Sequence, residues 1–154
     1  MTDPSERHRR LARAVGRWEG GEDAPGADGT TDARAVSETR MVAGGRIRVT
    51  DHRHEVAGET TLEGHSVTTW DPAREACVMY WFDAEGGPPV EYVGDFDGDL
   101  LILDGPGPEG SHLRHVTDFP DPDTMRTRSY LSTAGGAWSH VFTGRYHRVS
   151  TPES

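Results

Sequence analysis

The stretch TTWDPAREACVMYWFDAEGG, residues 68–87, decides the fold class that this sequence predicts. It contains the end of one strand, a turn at Asp71 and Pro72, and an aromatic-rich strand over 76–83 that closes at a glycine pair. Both alternating faces of the second strand are apolar, which indicates that both are covered. The stretch therefore favours a two-sided antiparallel sheet over a helical protein.

The same period-two alternation extends in both directions from this stretch. We predict strands over 32–42, 46–55, 59–70, 76–83, 89–96, 99–104, 111–118, 124–132 and 137–149. Glycine and proline turns separate these strands, and Asp97-Gly98 is the two-residue signal of a hairpin. Many short strands at hairpin spacing predict an antiparallel barrel or sandwich, and a closed barrel can hold one small ligand.

Residues 1–18 carry the one good helix signal, and we predict a helix there. Asp3 and Glu6 have the spacing of a capping box, and an apolar stripe runs from Leu11 to Trp18. The glycine-rich segment 20–30 is predicted to form a loop. The fold class predicted is all-β with one short N-terminal helix.

Length and composition restrict the class of protein. The 154 residues suffice for a single domain, predicted over 1–150 with a disordered tail over 151–154. Sixteen arginines and no lysine against 26 acidic residues give a net charge of −10, which argues against a nucleic-acid partner and against an anionic membrane. The absence of lysine excludes Schiff-base chemistry, and the single Cys77 excludes an intrachain disulfide. With no signal peptide or membrane span, we expect a cytoplasmic location.

Several pieces of the sequence together resemble a known family. The pieces are, in order, RWEG (17–20), GGRIRV (44–49), LEGHSVTTWD (62–71), WFD (81–83), GDFDGDLLILDG (94–105) and YHRV (146–149). They resemble a bacterial family of uncharacterised lipocalin-like (calycin-type) β-barrel domains, although Trp70 and Cys77 stand where that family is expected to have tyrosine. The resemblance implies an antiparallel barrel of about nine or ten strands. It also implies that Trp18 plugs one end beneath Arg145 or Arg148.

Two aromatic strands supply candidate ligand contacts. Met79 and Trp81 share a face of the strand over 76–83, where they form either a wall of the lumen or ordinary core. On the last strand, Trp138, Phe142 and Tyr146 share one face and are further candidates for ligand binding.

His140 lies between Trp138 and Phe142 on that last strand. On an aromatic face it would be partly desolvated and neutral near pH 7, and it could then act as a base or a ligand. The alternative is a core histidine bonded to a neighbour. His140 is also the candidate axial ligand if the barrel binds haem, although the glycine-rich opening of such haem barrels is absent here.

Polar pairs at spacing i, i+2 give further candidates. Glu63 and His65 share a face and could transfer a proton, or Glu63 could pair with an arginine for structure. Arg128 and Tyr130 have the spacing that fatty-acid-binding barrels use for a carboxylate, although a solvated strand face is the favoured interpretation.

The H-x-H pair of His52 and His54, followed by Glu59, resembles a metal-site spacing of cupins. The surrounding spacing does not fit that motif. We therefore predict that these two histidines are exposed and that no metal site is present.

We conclude from the sequence that the lumen binds a small hydrophobic or aromatic molecule, without a cofactor and without catalysis. A small cyclase or isomerase that uses Glu63, His65 or His140 is the first alternative, and a haem or metal barrel is the second. A homodimer is compatible with all three.

Overall fold

The computed structural model describes residues 3–23, 33–133 and 136–150. Ten antiparallel strands form a closed barrel in the order β1-β10-β9-β8-β7-β6-β5-β4-β3-β2. The strands are β1 Gly16–Asp23, β2 Ala33–Val42, β3 Ile47–Val56, β4 Glu59–Asp71, β5 Ala76–Asp83, β6 Val90–Asp97, β7 Leu100–Pro106, β8 His112–Asp121, β9 Thr124–Ser132 and β10 Ser139–Ser150. The predicted all-β class and the antiparallel barrel are confirmed.

The α-helix in the described ranges, α1, spans Glu6–Leu11 and is shorter than the predicted helix over 1–18. Ser5 is its N-cap, because the Ser5 Oγ accepts a hydrogen bond from the His8 backbone N–H, at 3.4 Å. The His8 Nδ1 in turn accepts from the Ser5 N–H at 2.9 Å. This reciprocal pair replaces the predicted capping box of Asp3 and Glu6.

Strand β1 is the element that the sequence patterns missed. A short 3-10 turn, Ala12–Ala14, follows α1, and the chain then enters β1, so Trp18 lies on a strand and not on the helix. The loop predicted over 20–30 is wrong for residues 20–23, which belong to β1. Gly20 continues the strand. Glycine is required at this position because a Cβ would overlap the carbonyl oxygen of Arg145 on β10. The rest of that predicted loop, 24–30, lies outside the described residues, as does the predicted tail.

One end of the barrel is closed around Trp18, which is fully buried. Its Nε1 donates to the Ala14 carbonyl at 2.8 Å, and the Arg148 guanidinium carbon lies 4.3 Å from the centroid of its ring. Arg148 also donates to the carbonyl of Val15. Of the two arginines that the family resemblance left open, Arg148 therefore covers the tryptophan, while Arg145 is exposed on the outer face of β10.

Helix α1 covers the same end. Leu11 is fully buried and packs in a cluster with Cys77, Tyr92, Leu101 and Leu103. Two arginines of the helix lie over aromatic rings at its edge, Arg7 over Trp70 at 4.7 Å and Arg10 over Phe96 at 4.3 Å. No helix in the described part of the chain is long and apolar enough to cross a bilayer.

Candidate functional site

The barrel encloses a cavity of about 360 Å³. At its closed end the cavity reaches Ala14, and it extends along the inner faces of the strands to Phe142. Phe142 lines the cavity and is 48% exposed to solvent, so it marks the mouth. The size falls in the range of sites that hold small organic molecules.

Part of the cavity wall is apolar. Its larger side chains come from β5, β7, β9 and β10, and are Met79, Trp81, Leu101, Leu103, Met125 and Phe142. Tyr146 and Tyr92 are also buried there, and burial raises the pKa of Tyr92. This side offers an occupant aromatic and flexible aliphatic surface.

The wall formed by β2, β3 and β4 is polar. Thr39 and Thr50, which are opposite each other on β2 and β3, share a hydrogen bond of 2.8 Å between their hydroxyls. The His52 Nε2 and the Ser66 Oγ are 3.1 Å apart and share another. We call this side of the lumen the polar half, although polar side chains of β8 and β9 also line the cavity, namely His115, Thr117, Thr127 and Ser129.

Arg48 is the cationic residue of the polar half. Its Nη1 donates to the Leu11 carbonyl in a long contact of 3.4 Å, and its Nε is buried without a hydrogen-bond partner. Burial lowers the pKa of Arg48 to about 10, so its guanidinium is still charged at neutral pH. No Asp or Glu is among the described residues that line the cavity, so no carboxylate there compensates this charge.

His52 lies beside this charge. Its ring centroid is 5.2 Å from that of Trp81, and the surrounding protein desolvates it. Burial first, and then electrostatic interaction with the neighbouring His54 and Arg48, lower the pKa of His52 to about 4. His52 is thus a neutral imidazole at neutral pH and does not add to the positive charge of the lumen.

Across the cavity, His115 on β8 also faces inward. Its Nδ1 is 2.9 Å from the Ser129 Oγ, and its ring meets the edge of Tyr92 at 5.3 Å. Among the described residues, no group of three His, Cys, Asp or Glu side chains has a geometry that could hold a metal ion.

Four of the predicted ligand contacts line the cavity. They are Met79, Trp81, Phe142 and Tyr146. Trp81 packs tightly against β4, because a Cβ at Gly64 would overlap its ring. The remaining predicted site residues lie elsewhere.

The predicted lumen face of His140 is wrong, and a β-bulge is the reason. His140 is opposite Tyr130, whereas Phe142 is opposite Ser129, so Val141 is an extra residue in β10. The bulge turns His140 to the outside, where its Nε2 is 2.8 Å from the Phe142 carbonyl. The haem alternative that relied on this histidine therefore has no lumen ligand at this position.

Glu63 and His65 also lie on the outer face, which corrects the expectation that they face the lumen. Glu63 is exposed, and the His65 Nδ1 bonds the Asp51 carboxylate at 2.8 Å. The inward positions of β4 on either side are Leu62 and Ser66.

Arg128, Tyr130 and Trp138 do not line the cavity either. Arg128 and Tyr130 alternate on β9 with Ser129, which faces inward. Trp138 precedes β10, is 38% exposed, and stacks with the Arg114 guanidinium at 4.3 Å. The carboxylate-binding spacing of Arg128 and Tyr130 therefore falls outside the lumen.

The sequence reasoning missed the polar half of the lumen. His52 and His54, predicted to be exposed, line the cavity, and Arg48 was not singled out. The available signal was the period-two series Arg48, Thr50, His52 and His54, which places one charge on a face without any acidic residue.

Comparisons with known proteins agree with this fold. The model of the family described as "Protein of unknown function (DUF1579)" matches residues 3–148. Among solved structures, the crystal structure of Rv2717c from M. tuberculosis matches with a TM-score of 0.66 and 14% identity, covering 96% of this chain and 100% of that chain. At that identity the likeness concerns the fold alone. No curated protein matches the sequence.

Proposed function

This chain belongs to the family described as "Protein of unknown function (DUF1579)", and we propose that it is a non-catalytic binder or carrier of a small, largely apolar molecule. The observation that carries this proposal is the cavity of about 360 Å³ inside a closed barrel, with one aromatic and aliphatic wall. Trp81 and Met79 provide contact surface at its centre, and Phe142 provides it at the mouth.

A binding role fits this lumen better than acid–base catalysis. The acid–base candidates Glu63, His65 and His140 are on the outer surface. The inward His52 has a pKa of about 4, which is far from the operating range of a general base at neutral pH. None of these four residues therefore supplies an acid–base group to the occupant at neutral pH.

The test is a titration with N-phenyl-1-naphthylamine, a neutral dye whose fluorescence rises in apolar surroundings. We expect saturable binding of one dye molecule to each barrel. Thr117→Phe, which fills the lumen, should abolish the signal. Thr61→Phe makes the same change at an exposed position of β4 and should leave the signal intact.

Non-saturable fluorescence, or equal dye binding by the two phenylalanine variants, would contradict a lumen site. Thermal melting of both variants checks that they are folded. A folded Thr117→Phe that still binds the dye would mean that the dye lies on the outer surface.

A further inference from the structure

A half-buried cation in the lumen has no counter-ion among the described residues that line the cavity. The Arg48 Nε is buried and has no partner in the described part of the chain, and the hydrogen bond from its Nη1 to the Leu11 carbonyl is long. An unpaired charge in such surroundings is costly unless something compensates it. The described lining contains no acidic residue that does so.

We propose that the occupant of the lumen is a monocarboxylate whose carboxylate pairs with the guanidinium of Arg48 and whose apolar body lies along Met79, Trp81 and Leu103. This inference rests on the proposed binding function and specifies its ligand class. A guanidinium fork matches the two oxygens of a carboxylate, and such charge-assisted pairs are strong where water is excluded.

A second polar group without a partner lies beside Arg48. Thr68 is directly opposite Arg48 in the register of β3 and β4, and it is fully buried. Its Oγ1 has no hydrogen-bond partner among the described residues. Thr68 does not line the cavity, so its hydroxyl adds to the uncompensated polarity around Arg48 and is not a contact for the carboxylate.

The charge of the lumen favours a carboxylate over a phosphate. Arg48 supplies one positive charge, and the neighbouring His52 is neutral at pH 7. A phosphate monoester would bring almost two negative charges to this single cation. A monocarboxylate brings one, and the pair is then neutral.

The position of Arg48 also fixes the orientation of the ligand. Arg48 is the second residue of β3 and bonds helix α1, so it lies at the closed end. Phe142 marks the opposite, open end. The carboxylate therefore lies deep in the barrel, and the apolar body extends toward the mouth.

The test compares decanoic acid with decan-1-ol, which have the same chain and differ in the charged head. Both compete with N-phenyl-1-naphthylamine at about pH 8, where the acid is ionised. In the wild-type protein decanoate should compete about tenfold better than decanol. Arg48→Met should remove this advantage and leave decanol unchanged.

Two further variants make the comparison specific. Arg53→Met removes the same charge from the same strand, but Arg53 pairs with Glu55 on the outer face, so the preference should persist. Thr68→Val removes a buried hydroxyl that does not line the cavity, so the preference for decanoate should persist in this variant as well. Equal competition by the acid and the alcohol in the wild type, or a decanoate preference that survives Arg48→Met, would overturn the proposal.

A thermal shift with decanoate gives a readout that does not need the dye. If neither the dye nor decanoate binds the wild type, the binding function and the carboxylate site fail together. If the dye binds and decanoate stabilises neither protein, the carboxylate site fails alone.

Discussion

The guanidinium carbon of Arg148 lies 4.3 Å from the ring centroid of Trp18, and thereby ties β10 to β1 at the closed end of the barrel. The same side chain donates to the carbonyls of Val15 and Pro122, the latter at 3.0 Å. We expect Arg148→Ala to lower the free energy of unfolding by about 3 kcal/mol, because ring stacking and several charge-assisted hydrogen bonds are lost together. Urea denaturation measures this change.

Arg145→Ala is the matched control for that change. Arg145 is exposed on the opposite face of the same strand, so its removal should alter the free energy of unfolding by less than about 0.5 kcal/mol. Equal losses for the two variants would show that the position on the strand matters and that the contact with Trp18 does not.

Arg48→Met should have the opposite effect on the ligand-free protein. Because the guanidinium is desolvated without a counter-ion, its replacement should raise the free energy of unfolding by about 1 kcal/mol. Arg53→Met, on the outer face, should change it by less than about 0.5 kcal/mol. A loss of stability in folded Arg48→Met would show that the bond to Leu11 holds helix α1 in place.

His52 makes the stability depend on pH below neutrality. Its folded pKa of about 4 lies below the ordinary value of 6.5, so between these values the unfolded chain binds the proton and the folded protein does not. Stability should therefore fall as the pH falls from 6.5 to 4, with His52 accounting for about 2–3 kcal/mol of the loss.

The measurement is the wild-type stability minus that of His52→Gln at each pH. This difference isolates His52 from the carboxylates that titrate in the same range. His65→Gln removes a histidine of the outer face and should keep the full wild-type loss, because His52 is still present. If His52→Gln loses as much stability as the wild type between pH 6.5 and pH 4, groups other than His52 cause the pH dependence.

Gly64 controls the position of Trp81. A Cβ at Gly64 would overlap the end of the Trp81 ring and lie 2.9 Å from the Phe82 carbonyl oxygen, so Gly64→Ala should displace the ring, weaken dye binding and shift the tryptophan emission. At Gly94 the obstruction is the backbone carbonyl of Ile102, which cannot rotate away. Gly94→Ala should therefore lower the melting temperature more than Gly64→Ala does. If Gly64→Ala instead lowers the melting temperature more than Gly94→Ala does, the Trp81 side chain cannot move to make room for the added methyl group.

The period-two pattern predicted the strands of the barrel well but predicted their faces poorly. On β3, Ile47 and Val49 are the apolar positions, yet the polar positions Arg48 and Thr50 face the lumen. The usual assignment of apolar residues to the inside fails because this lumen is polar on one side and Val49 is only 8% exposed on the outside. Because both faces of the strand are buried, the alternation of apolar and polar residues no longer shows which face points into the lumen.

Two further differences have local causes. The bulge at Val141 places His140 and Phe142 on opposite faces of β10. No residue type in that segment predicts a bulge. Strand β1 was read as helix and loop because its glycines break the apolar pattern, while Gly20 is needed for the close approach of β10. By contrast, the resemblance to lipocalin-like barrels did indicate Trp18 and its arginine cover.

The pairing of β1 with β10 also sets the order in which the molecule can assemble. The closing contacts join parts of the chain that are far apart in sequence, as in the bond between Val15 and Arg148, which are 133 positions apart. Neighbouring hairpins form over short loops, but this last seam requires the largest loss of chain entropy. During synthesis β1 and its neighbours remain an open sheet with unpaired edges until residue 150 is available. We therefore expect one late, long-range event to limit folding, and we expect a ribosome that stalls before β10 to leave a sheet prone to aggregation.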